Sequence, residues 1–158
     1  LQKLKNNYAC VKISITKQGK AMFELDEKFF EEIGLNRMPV NEQEEFKKHI
    51  QEEIEVRVGE RISDGMSPEK LDEFEAIIDE NSDFIQNWVL MNTPDYKNDE
   101  IYQTFVDQNN GQESAEIMNE YAAMKWLQVN RPDFAQIIET VMNEMKGELR
   151  ANINKIIG

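Results

Sequence analysis

Apolar residues recur at every fourth position along Phe46, Ile50, Ile54, Val58 and Ile62, and the slow drift of that stripe predicts one long amphipathic helix. Asn41 with Glu44 three residues later has the spacing of a capping box, which is expected to open the helix. Gly65, the residue best able to take a left-handed C′ conformation, is expected to close it. Ser67-Pro68 restarts a helix, with Ser as N-cap and Pro at the first helical position. Leu71, Phe74, Ile77 and Ile78 give that second helix its apolar face. The pair is expected to form a hairpin over 41–79 in which Phe46, Ile50, Ile54, Phe74 and Ile78 meet, with the rest of the chain arranged around it.

Ahead of this hairpin, Val11, Ile13 and Ile15 alternate with Lys12, Ser14 and Thr16. A weaker alternation of Ala21, Phe23 and Leu25 follows Gln18-Gly19. The pattern predicts either a short β-hairpin or a disordered arm, because an isolated two-stranded ribbon is marginal in water. Asp26 is placed to cap a short helix through Phe29, Phe30 and Ile33, with Gly34 at C′ and Leu35 folding back on it. Pro39 separates this helix from the long one.

Beyond the hairpin, two stretches resemble each other at an offset of 38 residues: NSDFIQNWVLMNTPDY (81–96) and NEYAAMKWLQVNRPDF (119–134), with five of sixteen positions identical. Their common signature is Trp88-Val89, Asn92, Pro94, Asp95 and Tyr96, then Trp126-Leu127, Asn130, Pro132, Asp133 and Phe134. It predicts a helix-turn-helix corner: Asn ends one helix in the left-handed conformation, Pro opens the next, and Asp favours its positive N-terminus. Thr93 suits an N-cap and Arg131 does not, so the copies are not equivalent in detail. The polar run 107–113, with Gly111, is expected to be the loop between them.

In the last stretch, Ile138, Met142, Met145, Leu149, Asn152 and Ile156 follow a 4-3 spacing. This face is expected to be buried, in the chain's own core or, through Ile138, Met142, Met145, Leu149 and Ile156, against a second copy. The elements together predict an all-α fold: a compact multi-helix domain built from helical hairpins, preceded by a short basic arm.

Charge changes the picture. The chain carries 31 acids against 18 bases, a formal charge of −13, yet residues 1–21 hold five Lys and no acid. Residues 1–21 therefore read as a basic extension. Residues 22–158 read as an acidic helical domain of charge −18, with Met22 as a natural start. Such an excess of carboxylates opposes unassisted binding to nucleic acid or anionic lipid and favours a basic protein partner. The one cysteine, Cys10, has no internal disulfide partner, and no stretch reaches the roughly 18 consecutive apolar residues of a membrane span. These features lead to the expectation of a cytoplasmic protein.

FELDEKFFEEIGL, HIQEEIEVRVGERISDGMSPEKLDEFEAII and the closing WLQVNRPDF with its helix resemble an uncharacterised bacterial family of small acidic helical domains, a domain of unknown function. The resemblance runs over residues 23–78 and 121–149 and sets the 81–96 corner apart as an addition. It implies a helical fold and transfers no catalytic residue.

Candidate chemistry is sparse. His49 is the single histidine, so neither a zincin pair nor two Glu-x-x-His motifs can be built. Asp107-x-Asn109-x-Gly111 and Asp79-x-Asn81-x-Asp83 fail the count of a calcium loop, having Met118 and Leu90 where the bidentate Glu belongs. Cys10 sits in the basic extension without a base beside it. Glu31-Glu32, Glu44-Glu45 and Glu52-Glu53 read as solvated helix faces. No catalytic, cofactor-binding or metal-ligating residue is expected. Trp88 and Trp126 suit core packing better than ligand stacking, since both precede the turn in the same way. The leading reading is a non-enzymatic interaction or adaptor domain. The alternatives are an inhibitor that mimics nucleic acid toward a DNA- or RNA-binding protein, and, more weakly, a metal-assisted hydrolase.

Overall fold

The computed structural model describes residues 27–157, Leu25, and two paired strands, β1 (Thr16–Lys17) and β2 (Lys20–Ala21). The strands pair antiparallel, Thr16 opposite Ala21 and Lys17 opposite Lys20. The expectations for residues 1–15, the Asp26 cap and the boundary at Met22 lie outside the described residues.

Seven α-helices follow among the described residues: α1 (Glu27–Glu32), α2 (Val40–Ser63), α3 (Pro68–Ile78), α4 (Ser82–Asn92), α5 (Glu100–Gln108), α6 (Ala115–Asn130) and α7 (Phe134–Ile157). The architecture is all-α. Local chemistry sets several of the ends. Gly34 takes φ +84° after α1, and the side chain of Leu35 folds into the interior beside it. The Ser67 hydroxyl accepts the backbone N–H of Lys70 at 3.3 Å, with Pro68 at the first position of α3.

The start of α2 differs from expectation. It begins at Val40, one residue before the anticipated cap Asn41, and its first turn is secured by the Gln43 amide, which donates to the Met38 carbonyl at 2.8 Å. Pro39, at φ −54° and ψ 137°, already holds the conformation of a residue entering a helix, so no side-chain cap is required. The helix also stops at Ser63, ahead of Gly65, which does take φ +75°.

The chain divides into two compact units, one comprising Glu24–Asp64 with Asp133–Gly158, the other containing Gly65–Pro132. In the first, α2 packs along α7, and α1 also meets α7. The stripe Ile50, Ile54, Val58 and Ile62 is buried there, as are Ile138, Val141, Met145 and Ile153 of α7. Arg57 grips Glu148 through both terminal nitrogens at 2.8 and 2.9 Å and Glu53 through Nε at 2.9 Å, while Arg61 pairs with Glu144. These pairings, 57 with 148 and 61 with 144, fix an antiparallel register. The hydrogen bond from Arg57 holds the Glu148 carboxyl below its ordinary range.

In the second unit α3 packs on α4 and α6, and α6 also packs on α4 and α5. Within its own unit, α2 has α7 as its core partner, and α3 has α4 and α6. A four-residue apolar spacing marks a face and not its occupant, so the stripe announced burial without naming α7.

Candidate interaction surface

The two corners are built alike. The Asn92 side-chain amide donates to the Trp88 carbonyl at 2.8 Å, and that of Asn130 to the Trp126 carbonyl at 2.9 Å. The next backbone N–H closes the same last turn in each, Thr93 to Val89 at 2.8 Å and Arg131 to Leu127 at 2.7 Å. Asn thus ends each helix through its side chain, and neither Asn92 nor Asn130 takes the left-handed backbone expected of it. The copies diverge after the Pro. Pro94 leads into a 3-10 turn, Tyr96–Asn98, before α5, whereas Pro132 leads into α7 at once.

Both tryptophans are buried, Trp126 at 0 % exposure and Trp88 at 8 %. The Trp126 ring stacks on Phe74 with centroids 5.3 Å apart, and its indole N–H donates to Glu73 at 2.8 Å. Burial pushes the Glu73 carboxyl up, but the hydrogen bonds from Lys70 and Trp126 outweigh it and the group settles below its usual value.

Behind the first corner lies a tyrosine cluster. Tyr102 stands edge-on to Tyr96 and Tyr121, at 4.9 and 5.3 Å between centroids. Asp99 anchors it: one carboxylate oxygen caps α5 by accepting the Ile101 N–H at 2.9 Å, and the other accepts the Tyr121 hydroxyl at 3.2 Å and pairs with Lys125 at 2.6 Å. Burial raises the Asp99 carboxyl, and the Lys125, Ile101 and Tyr121 donors more than reverse that, leaving it lowered. The Tyr121 phenol, desolvated and beside that carboxylate, is pushed up to about 12.

Tyr96 and Tyr102 also form part of an open groove of about 440 Å³, completed by Val89 and Leu90 of α4 and by Ala115 and Met118 of α6. Gln86, Glu113 and Ser114 supply its polar rim. Leu90 in its wall is 59 % exposed, and Met91, which does not line it, is 83 % exposed. Val129, at the position in the second corner that corresponds to Met91, is 67 % exposed. Three of the four exposed large hydrophobic residues among the described residues therefore lie at the two corners; the fourth is Val40.

None of His49, Asp79, Asn81, Asp83, Asp107, Asn109 and Gly111 lines this groove. His49 is exposed on α2 and borders a smaller depression of about 290 Å³ with Phe46, Met145 and Asn152. The 107–111 stretch closes α5: Asn110 and Gly111 take φ 57° and 76°, and the Gly111 N–H returns to the Val106 carbonyl at 2.9 Å. Among the described residues no group of three or more His, Cys, Asp and Glu side chains converges. Nor is any described helix long and apolar enough to cross a membrane. On α7, Ile138 and Met145 are buried, Met142 and Leu149 half-buried, and the Ile156 side chain lies outside the described residues. Sequence reading had singled out Tyr96 but missed Tyr102, Tyr121 and Asp99, which share no local period.

A family model described as a protein of unknown function (DUF5663) matches residues 29–105 and 97–149. The chain belongs to that family. Each of the two matches contains one complete copy of the corner, 81–96 in the first and 119–134 in the second. The first corner is thus part of the family pattern and not an addition to it, which corrects the extent read from the sequence. No curated protein and no solved structure matches the chain.

Proposed function

We propose that this member of the family is a non-enzymatic protein–protein interaction domain whose acidic surface selects a basic partner. The observation that carries the reading is the charge of residues 65–132, which hold 14 acids against four bases. Three of those bases are already engaged, Lys70 with Glu73, Lys97 with Glu113 and Lys125 with Asp99. Cations that neutralise the remaining excess come from outside this segment. Such a potential speeds encounter with a basic protein and repels nucleic acid and anionic lipid. A soluble protein meeting its partner in the cytoplasm belongs to the same reading.

Capture from native lysate at two salt concentrations, with mass spectrometry, tests it. Proteins retained at low salt should be enriched in high-pI species and lost at high salt, because screening shortens the reach of the charge to about 10 Å at 0.1 M. Duplex DNA should not be retained at either. A retained set indifferent to pI and salt, or retained DNA, would overturn the proposal.

A further inference from the structure

We infer that the first corner is where that partner docks. A bulky apolar side chain of the partner seats in the groove between α4 and the start of α6, and lysines or arginines flanking it face the surrounding carboxylates. The inference rests on the reading of the chain as an acidic interaction domain and names the site within it.

Shape is the first ground. The groove's size falls at the lower end of ligand-binding cavities, roughly 300–1,000 Å³, and its aromatic and thioether walls suit one side chain. Tyr96 and Tyr102 give rigid area, and Met118 adapts to the shape of what enters.

Placement is the second. Leu90 stands 59 % exposed in the groove wall, although Trp88 and Val89 just before it are buried. Isolated apolar residues on a surface need no explanation, but one that lines an apolar groove adds to the area a partner can cover.

Charge complementarity fixes the partner's character. Asp83, Gln86 and Leu90 share one face of α4 at i, i+3 and i+7, which puts a carboxylate in line with the groove wall. Glu113 lies on the rim, more than half exposed even while paired with Lys97 at 3.1 Å, and can accept from a second cation. The 14 acids and four bases of 65–132 attract a basic segment and repel an acidic one.

The test is an NMR titration of the full chain with a short synthetic peptide carrying one phenylalanine flanked by lysines, run beside the same peptide with alanine in its place. The phenylalanine peptide should shift the amides of Val89, Tyr96, Tyr102 and Met118 saturably and bind about tenfold or more tighter than the alanine peptide. Leu90→Ser, at an exposed position of the groove wall, should weaken it severalfold with unchanged circular dichroism, while Met91→Ser and Val40→Ser should leave it alone. If both peptides bind alike and shifts scatter over the acidic surface, or if Leu90→Ser has no effect, the groove assignment falls and the acidic-domain reading stands. If neither peptide binds at low salt, both fall.

Discussion

Thr93 and Arg131 leave their helices along the same backbone path, φ −138° with ψ 60° in one and 67° in the other, although one side chain is a short hydroxyl and the other a long cation. The cause lies in their neighbours. The following proline disfavours the helical region for the residue before it, and the preceding asparagine ties its amide back to the tryptophan carbonyl one turn earlier.

Asn92→Ala and Asn130→Ala should therefore have similar costs, about 1 kcal/mol each, the net value of one intramolecular hydrogen bond. Urea denaturation of the two variants side by side checks this. A large cost for one and none for the other would mean that the corners are alike in form only.

Trp126 is the larger anchor. Trp126→Ala should cost about 3–5 kcal/mol through lost burial and the cavity left against Phe74. Glu73→Ala should cost about 1–3 kcal/mol, because it leaves the indole N–H without its acceptor. Glu73→Gln, which keeps an oxygen there, should cost less. Equal losses for the Ala and Gln variants would show that the carboxylate charge, and not the acceptor, matters.

Asp99 predicts an acid limb. Its carboxyl is lowered in the folded chain, so its contribution is present above the ordinary aspartate value of about 3.9 and is lost as pH falls through the lower folded value. Asp99→Asn should be less stable than the parent at pH 7, and the gap should close below about pH 4. Tyr121 sets an alkaline limb by the opposite sign. Its folded value, raised to about 12, means stability declines as pH rises from about 10 toward 12. Tyr121→Phe should remove that decline. Stability measured by denaturant across pH decides both.

Ile54 is fully buried on the α2 stripe, and Ile54→Ala should cost about 2–5 kcal/mol. A loss well under 1 kcal/mol in chemical denaturation would remove it from the α2–α7 core.

What could be read in the sequence was local. Gly34, Ser67-Pro68 and the Trp-to-aromatic signature each state their backbone consequence within a few residues. The α2 stripe states burial. The role of asparagine was half legible: its place at the corner followed from the pattern, but left-handed backbone and side-chain clamp are two solutions to the same unsatisfied carbonyls, and the spacing does not choose between them. The pairing of α2 with α7, and the meeting of Tyr96, Tyr102 and Tyr121 over Asp99, join residues with no common period. Nor does any pattern announce that Leu90 and Met91 stay in water, since helical spacing alone would have one of them covered.

The unit formed by α2 and α7 is assembled from two ends of the described chain, with about 70 residues between Ser63 and Phe134. At a synthesis rate of about 5–20 residues per second, α2 waits roughly 4–14 s after its own emergence before its partner begins to appear. During that interval Ile50, Ile54, Val58 and Ile62 have no α7 to cover them, whereas Gly65–Pro132 is contiguous and can close as soon as it is made. The nascent chain therefore carries an adhesive helix until α7 has been made, and truncation in α7 should expose that helix for the lifetime of the protein.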